Sequence, residues 1–537
     1  MADPYYITTA IAYPNGKPHI GHAYEAIAAD AIARFHRMQG KDVRLVTGTD
    51  EHGLKMAQTA RAAGKDTLEF ATEMSDHFRE MCARLNVQYD AFCRTTEERH
   101  KAASVALWKA MEASDDLYLD RYEGWYSVRD EAFYGEKELI AGEGGEKLSP
   151  QGTPVEWTVE ESWFFRLSKY RDFLIELNET PGFLEPESRR NEVLAFLKGN
   201  DLRDLSVSRT SFDWGVPVPG SPGHVMYVWV DALTTYLTGI GYPDREGDFS
   251  RFWPADLHLI GKDIVRFHAV YWPAFLKSAR LPVPKKIFGH GFLLARGGEK
   301  MSKSLGNVVD PVELADKYGV DQLRYFLLRE VSFGSDGTWS EEAIVTRCNA
   351  ELANGYGNLV QRTFGFISKF LDGNLPAEYS GEAPCQYRED YAFVDGLVSD
   401  ISCFQDSFAS LEPHLALQFW NLAIFKCNAF IDEMEPWKLR KSDPERMGNV
   451  LALLVWAIRD LTIAVRPVTP FSASLVLAYI EIPESDRTYG TIKIFDPAVG
   501  MTWDRDWYRS LRENTKTIAP PTPIFPRLEM PAEDAPQ

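Results

Sequence analysis

The first fifty residues change from the periodicity of a strand to that of a helix and back to that of a strand. Residues 5–12 (YYITTAIA) are β-branched and aromatic, and the turn-forming PNG follows at 14–16. From His22 to Gly40 apolar residues recur at helical spacing, and VRLVTG (43–48) again resembles a buried strand. Two such strands with a helical crossover form a parallel pair. The sequence therefore predicts an α/β, Rossmann-type, doubly wound parallel sheet.

The sheet pattern is interrupted and then gives way to helices. After about residue 115 short aromatic and acidic segments predict an inserted domain, and the alternation resumes near residue 209. Beyond residue 345 strand patterns vanish and long helical periodicities predict an α-helical bundle domain. The predicted segments are 1–114 and 209–295 for the two halves of the sheet domain, 115–208 for the insert, 296–344 for a connecting stem, 345–510 for the bundle and 511–537 for a proline-rich tail.

Charge and cysteine content restrict the possible functions. Acidic residues outnumber basic ones by 78 to 58, which gives a net charge of -20, so any contact with nucleic acid must be local. The six cysteines are widely spaced and form no CxxC, which predicts reduced thiols in a cytoplasmic protein without disulfides or bound zinc. No segment has eighteen consecutive apolar residues, so we expect no membrane span.

The first candidate motif is His19-Ile20-Gly21-His22, where the first strand gives way to the first helix. The field of a helix N-terminus favours a phosphate group. Gly21 would let a nucleotide approach the backbone, and His19 and His22 are spaced to donate to the same phosphate. Either histidine alone would more often be structural, but the tetrapeptide at this position predicts a nucleotide site.

The second candidate motif is Lys300-Met301-Ser302-Lys303, in a glycine-flanked loop that follows the strand predicted at 285–294. Lysines on such a loop can close over a triphosphate and stabilise the charge that develops at the α-phosphate. A solvent-exposed basic loop would be the simpler interpretation if this motif stood alone.

In this order the two motifs are characteristic of class I aminoacyl-tRNA synthetases, which this chain resembles. ITTAIAYPNGKPHIGHAYE, TGTDEHG, YVWVDAL, IGKDIVRFHAVYWPA and EKMSKSLGN are similar to the methionyl-tRNA synthetase family, and the resemblance covers nearly the whole chain. It implies a ligase that makes methionyl-adenylate from methionine and ATP, with Mg²⁺ on the phosphates. The methionyl group then passes to the 3′-terminal ribose of the methionine acceptor and initiator tRNAs. The resemblance also implies that 1–114 and 209–295 are the catalytic domain, 115–208 the connective domain, 296–344 the KMSKS loop and stem, and 345–510 the anticodon-binding domain.

The resemblance implies a binding role for particular residues. His19, His22, Lys300 and Lys303 are the expected catalytic residues, and the ATP site adds Gly21, Met301 and Ser302. The residues at positions that enclose methionine in the family are Ile11, Tyr13, Asp50, Trp229, Ala232, Leu233, Tyr236, Ile264 and His268. Aromatic and aliphatic walls suit a polarizable thioether.

Three polar residues have a second interpretation. Asp50 matches the position that holds the methionine ammonium group, although a carboxylate there would also suit a helix N-cap. Arg209 and Asp263 match positions around the active site, although an internal ion pair between them would explain them equally well.

The helical domain contains the expected anticodon site. Asn354, Asn358 and Arg362 are four residues apart and so share one helix face, and Trp437 after Pro436 can stack on an unpaired base. Helix capping by the asparagines and burial of the tryptophan are the structural alternatives. The resemblance implies anticodon recognition by all five residues.

Two departures from the family and two alternatives remain. No cysteine occurs between Cys93 and Cys348, so the chain resembles the family branch without zinc, and aromatic packing would hold the insert together. The chain also ends without an appended tRNA-binding domain, which favours a monomer.

The alternative functions are another class I synthetase for an apolar amino acid, such as leucine, isoleucine, valine or cysteine, and a non-catalytic synthetase-like protein that binds tRNA.

Overall fold

The computed structural model divides into two compact units, which are described separately. The first comprises residues 4–29 and 43–291, and the second comprises 1–3, 30–42 and 292–537. The structure describes residues 2–127, 129, 132–142, 145–199, 202–294, 308–376, 387–492, 512–513, 515 and 517–530.

The first unit contains a parallel sheet and its covering helices. Its strands are β1 (Pro4–Thr9), β2 (Asp42–Thr49), β3 (Ala91–Arg94), β4 (Leu117–Ser127), β5 (Ala132–Tyr134), β6 (Ile140–Ala141), β7 (Lys147–Leu148), β8 (Glu156–Phe165), β9 (Leu184–Glu185), β10 (Leu205–Ser206), β11 (Ser208–Arg209), β12 (Val225–Met226), β13 (Leu257–Gly261) and β14 (Ile287–His290). Its helices are α1 (Ile20–Met38, which continues into the second unit), α2 (Leu54–Ala62), α3 (Thr67–Arg84), α4 (Glu98–Glu112), α5 (Arg171–Glu179), α6 (Glu187–Gly199), α7 (Val228–Thr238), α8 (Gly247–Phe252) and α9 (Trp272–Ser278).

Six strands form the central sheet in the order β3-β2-β1-β13-β14-β9. The pairs β1–β13, β13–β14, β14–β9 and β2–β3 are parallel, with Ile7 beside Leu257 and Gly48 beside Cys93. The order reverses between β1 and β13, and in such a sheet the ligand crevice lies at the carboxyl ends of the strands beside this point. The predicted Rossmann-type parallel sheet is confirmed.

The predicted insert contains an antiparallel sheet in the order β10-β8-β4-β5. Aromatic side chains pack along it: Tyr118 stacks on Phe164, and Trp125 meets Trp157 edge to face. Trp163 makes a similar contact with Trp108 on α4. This packing agrees with an insert stabilised by aromatic residues.

The second unit is mainly helical. Its elements are β15 (Leu293–Leu294), α10 (Pro311–Tyr318), α11 (Val320–Glu330), β16 (Gly337–Thr338), α12 (Glu341–Arg347), a π-helix (Cys348–Gly357), α13 (Asn358–Phe370), α14 (Arg388–Ala409), α15 (Pro413–Met434), α16 (Pro436–Ser442), α17 (Pro444–Val465) and α18 (Pro470–Tyr479). The predicted C-terminal helical region is confirmed, and residues 517–530 run along these helices as an extended strap, with Ile518 and Leu528 hydrogen-bonded to Gly373 and Asn349.

One helix of this unit, α17, is long and apolar enough to cross a membrane, but its most apolar window is completely buried. Such burial is typical of the central helix of a bundle. The described cysteines form no disulfide with one another, and Cys385 lies outside the described residues.

Candidate active site and RNA-binding surface

The two histidines of the first motif lie immediately before and within the first turn of α1. Their rings stack, with centroids 3.8 Å apart. Nδ1 of His19 accepts a hydrogen bond from the backbone N–H of Gly21, and Nδ1 of His22 accepts one from the N–H of His19, both at 3.1 Å. Because Nδ1 is the acceptor in each neutral ring, the ring proton lies on Nε2. The motif therefore contributes two Nε2–H donors at a helix N-terminus.

Gly21 has a more specific role than the sequence suggested. A Cβ atom at this position would lie 2.9 Å from Cε1 of His19, closer than real Cβ contacts. The glycine is therefore needed for the stacked arrangement of His19. The edge of the His22 ring also packs against Phe78 of α3, with centroids 5.0 Å apart.

The second motif lies outside the described residues. Lys300, Met301, Ser302 and Lys303 therefore remain predicted site residues.

The predicted methionine residues of α7 share one face of that helix. Trp229, Ala232, Leu233 and Tyr236 follow the spacing i, i+3, i+4, i+7 that places side chains together on an α-helix. Trp229 stacks on Phe267 with centroids 3.8 Å apart, and its ring meets His268 edge to face. Ile264 belongs to the same apolar cluster. The structure thus brings together, on α7 and at residues 264–268, most of the residues that the sequence predicts to enclose methionine.

His268 is buried at the centre of this cluster and is neutral at physiological pH. Its Nδ1–H donates to the carbonyl of Ile264 at 3.0 Å, and its Nε2 accepts from the Tyr236 hydroxyl at 2.6 Å. Burial lowers the pKa of His268 to about 4, although the hydrogen bond to Ile264 opposes this shift. His258 lies beside Tyr236, and burial places its pKa well below the usual value. The rings of this cluster are consequently polarizable and uncharged.

The remaining predicted methionine residues lie at the ends of β1 and β2. Asp50 is almost fully buried, and its backbone N–H donates to the carbonyl of Ala12 at 2.8 Å, next to Ile11 and Tyr13. The Tyr13 hydroxyl accepts from the N–H of Met56, and its ring packs on the cluster formed by α2 and α3. Asp50 is not a helix N-cap, because α2 begins after Gly53.

Arg209 and Asp263 differ in their surroundings. Arg209 is buried, donates to the Ser206 hydroxyl at 2.9 Å and to the carbonyl of Ser208 at 2.7 Å, and packs over the ring of Tyr227. Asp263 is exposed in the short turn that follows β13.

Two polar clusters near these residues were missed by the sequence analysis. In the first, Nε2 of His290 at the end of β14 pairs with the Glu25 carboxylate on α1 at 2.8 Å. Burial raises the pKa of Glu25 despite this contact, and Glu25 raises the pKa of His290 against the effect of burial.

The second cluster joins three elements of the sheet domain. The Asp231 carboxylate on α7 bonds to Nδ1 of His52 at 2.6 Å and to Nε2 of His100 at 2.7 Å. Burial opposes ionisation of Asp231, but attraction to His52 and the two imidazole hydrogen bonds lower its pKa to about 2. The members are 131 and 179 residues apart in the sequence, so no local pattern reveals them.

The predicted anticodon residues lie on the second unit. Asn358 hydrogen-bonds Asn428, Arg362 pairs with Asp432, and Asn354 accepts two hydrogen bonds from Arg527 of the strap. Asn354 belongs to the π-helix that leads into α13, whereas Asn358 and Arg362 belong to α13 itself. That the three side chains share one helix face stays a prediction.

Trp437 and Arg362 border a pocket of about 250 Å³. The indole is 44% exposed, so it is not a core tryptophan, whereas Pro436 is buried. The guanidinium of Arg362 lies 6.0 Å above its ring, and Phe366, Lys369 and Phe370 are among the other lining residues. Aromatic faces beside cations are suited to unstacked nucleic acid bases.

Among the described residues, no three His, Cys, Asp or Glu side chains form a group that could hold a metal ion. The absence of zinc remains a prediction, and this part of the chain offers no dedicated site for Mg²⁺.

Comparisons with known proteins agree with this geometry. The family model for tRNA synthetases class I (M) matches residues 5–364. The methionine–tRNA ligase of Brucella suis biovar 1 (strain 1330) is 51% identical over 98% of both chains, and that of Mycobacterium bovis (strain ATCC BAA-935 / AF2122/97) is 51% identical over the same shares. The crystal structure of Mycobacterium tuberculosis methionyl-tRNA synthetase bound by methionyl-adenylate matches with a TM-score of 0.89 and 49% identity, covering 98% of this chain and 100% of that one.

These matches extend over both units. They favour the methionyl-tRNA synthetases over the class I enzymes for leucine, isoleucine, valine or cysteine. The chain therefore belongs to the methionyl-tRNA synthetase family of class I aminoacyl-tRNA synthetases.

Proposed function

We propose that this chain is a methionine–tRNA ligase that works in two steps. An oxygen of the methionine carboxylate attacks the α-phosphorus of ATP, the bond to the bridging oxygen breaks, and pyrophosphate leaves. A hydroxyl of the 3′-terminal tRNA ribose then attacks the carbonyl carbon of the adenylate, and AMP leaves. Neither step needs a covalent enzyme intermediate, so positioning and electrostatic stabilisation suffice.

The neutral aromatic pocket around His268 is the observation that best supports methionine as the substrate. Trp229 and Phe267 form a stacked wall, and Tyr236 with His268 forms an uncharged polar end. A thioether is polarizable and only weakly polar, so it gains dispersion contacts there without requiring a charged partner. A charged side chain would lose its hydration without compensation.

In this proposal the Nε2–H groups of His19 and His22 donate to the phosphates of ATP, with Gly21 allowing their arrangement. Lys300 and Lys303, with Met301 and Ser302 in the same loop, neutralise the charge of the transferring group and of pyrophosphate. Mg²⁺ enters as part of the MgATP substrate.

The polar residues around the pocket have complementary roles. The Asp50 carboxylate pairs with the methionine ammonium group, which fixes the direction of the bound amino acid. Ile11, Tyr13, Ala232, Leu233 and Ile264 enclose its side chain. Arg209 and Asp263 support the active site.

We also propose that the helical domain recognises the anticodon of the acceptor and initiator tRNAs for methionine. Trp437, following Pro436, stacks on one unpaired base, while Asn354, Asn358 and Arg362 bond to base edges. Segments 1–114 and 209–295 form the catalytic domain, 115–208 the connective domain, 296–344 the KMSKS loop and stem, and 345–510 the anticodon-binding domain. We further propose that the protein is a monomer in the cytoplasm.

The test is aminoacylation of methionine tRNA by the full chain, with His22→Ala and a matched control, His77→Ala. His77 is a partly exposed histidine on α3. We expect methionyl-tRNA from the parent chain and the control, and a loss of about 100-fold or more in kcat for His22→Ala. Binding of tRNA without any methionyl-tRNA would overturn the proposal in favour of a non-catalytic tRNA-binding protein.

A further inference from the structure

The helix that carries the methionine pocket is fixed from its opposite side by a buried polar cluster. Trp229, Ala232, Leu233 and Tyr236 occupy the pocket face of α7. Asp231 and Thr238 are seven residues apart and so lie on another face of the same helix. His100 contacts both of them, through Nε2 to Asp231 and through Nδ1 to the Thr238 hydroxyl at 2.9 Å.

The same carboxylate also holds the end of β2. His52 is two residues after Asp50, the proposed ammonium ligand, and its Nδ1 bonds to the second oxygen of Asp231. The ring of His52 packs against Trp214, whose indole N–H donates to the carbonyl of Glu51 at 2.7 Å. Asp231 thus connects α7, from the side opposite its pocket face, to the strand end that precedes Asp50.

If Asp231 served only to pack α7, a carboxylate would be an unfavourable residue at this position. The side chain of Asp231 is 1% exposed and that of His52 is 4% exposed. Burying an ionised group is unfavourable, and an apolar residue would pack a buried helix at lower cost. A carboxylate can accept two directional hydrogen bonds, here from His52 after β2 and from His100 on α4. These bonds restrict both the translation of α7 and its rotation about its own axis.

We infer that Asp231 is a positioning residue of the methionine site, which sets the distance and angle between the side-chain pocket on α7 and the ammonium ligand Asp50. This inference rests on the proposed function of those residues. It assigns no contact with substrate to Asp231, and it predicts that the loss of this carboxylate weakens methionine binding selectively. Misplacement of a binding group by about 1 Å is enough to cause large losses.

The test compares Asp231→Asn and His100→Ala with Asp116→Asn as a matched control. Asp116 is also a buried carboxylate of the first unit, and it accepts hydrogen bonds from Lys169, Tyr170 and Ser278. ATP–pyrophosphate exchange by the full chain gives KM for methionine, KM for ATP and kcat, and thermal unfolding gives the stability of each variant.

We expect Asp231→Asn to raise KM for methionine roughly tenfold or more, and His100→Ala to raise it by a smaller factor, with KM for ATP changed less than about twofold. Asp116→Asn should lower stability and leave KM for methionine unchanged. If Asp231→Asn and His100→Ala lower stability as the control does but leave KM for methionine unchanged, or raise both KM values equally, the inference is overturned. Absence of methionine-dependent exchange in the parent chain would instead overturn the proposed function.

Discussion

The hydroxyl of Tyr236 donates a hydrogen bond to Nε2 of His268, so two neutral rings form the polar end of the proposed methionine pocket. The tautomer is fixed from the other side, because Nδ1–H of His268 donates to Ile264. A pocket arranged in this way can contact a thioether without holding a charge opposite it.

Removal of this hydroxyl should weaken methionine binding. Tyr236→Phe leaves Nε2 of His268 buried without its donor, which costs about 1–3 kcal/mol of unfolding free energy. Because the substitution also alters the polar end of the proposed pocket, we expect a rise in KM for methionine. Pyrophosphate exchange measures this change. Tyr170→Phe removes a hydroxyl that bonds to Asp116 outside the pocket and is the matched control. Equal effects of the two substitutions on KM would contradict the account.

Protonation of His268 should couple the stability of the fold to pH. The pKa of His268 is about 4 in the folded chain, below the value of 6.5 for a free imidazole. Below pH 6.5 the unfolded chain therefore binds a proton that the folded chain excludes, and the unfolding free energy falls progressively as pH drops towards 4. Between pH 7 and pH 5, the unfolding free energy of the parent chain should fall by about 2 kcal/mol more than that of His268→Asn. Urea unfolding followed by tryptophan fluorescence at both values measures the difference, and parallel losses in the two chains would be inconsistent with this assignment.

Substitution of Trp437 should separate tRNA recognition from amino acid activation. Trp437→Ala removes a stacking surface worth about 1–3 kcal/mol per base, so KM for tRNA should rise roughly 5- to 150-fold while pyrophosphate exchange stays unchanged. Phe471→Ala, which removes another exposed aromatic ring of the helical unit, is the control. Loss of exchange in Trp437→Ala, or an unchanged KM for tRNA, would argue against the proposed anticodon surface.

The buried ion pair between Arg324 and Asp30 should stabilise the helical unit. Arg324 donates to Asp30 at 2.6 Å and to the carbonyls of Val468 and Pro467, and both charged side chains are fully buried. Arg324→Met should cost about 3 kcal/mol or more, since it leaves a buried carboxylate and two carbonyls with fewer donors. Lys101→Met, which removes an exposed partner of Glu98, should change stability by less than about 0.5 kcal/mol. Denaturant unfolding of both variants checks the contrast.

Local pattern was sufficient to predict the sheet, the helical region and the position of the first motif. His19 and His22 lie beside the start of α1 because strand, turn and helix signals follow one another within 40 residues. The pocket face of α7 follows from the helical period, although its role was inferred from the family resemblance.

The polar clusters could not be predicted, because their members meet only after folding. Asp231 follows Trp229 in an apolar helix, and nothing near it in the sequence indicates that His52 and His100 are its partners. The π-helix at Asn354 was not predicted either, and it changes the helical period just before α13.

ATP–pyrophosphate exchange by the full chain, with each of the twenty amino acids in turn, tests the proposed activity most directly. We expect exchange with methionine, and rates at least about 100-fold lower with leucine, isoleucine, valine and cysteine at the same concentration. Exchange that is fastest with another amino acid would contradict the assignment of the pocket, and no exchange with any of them would contradict the assignment of the activity.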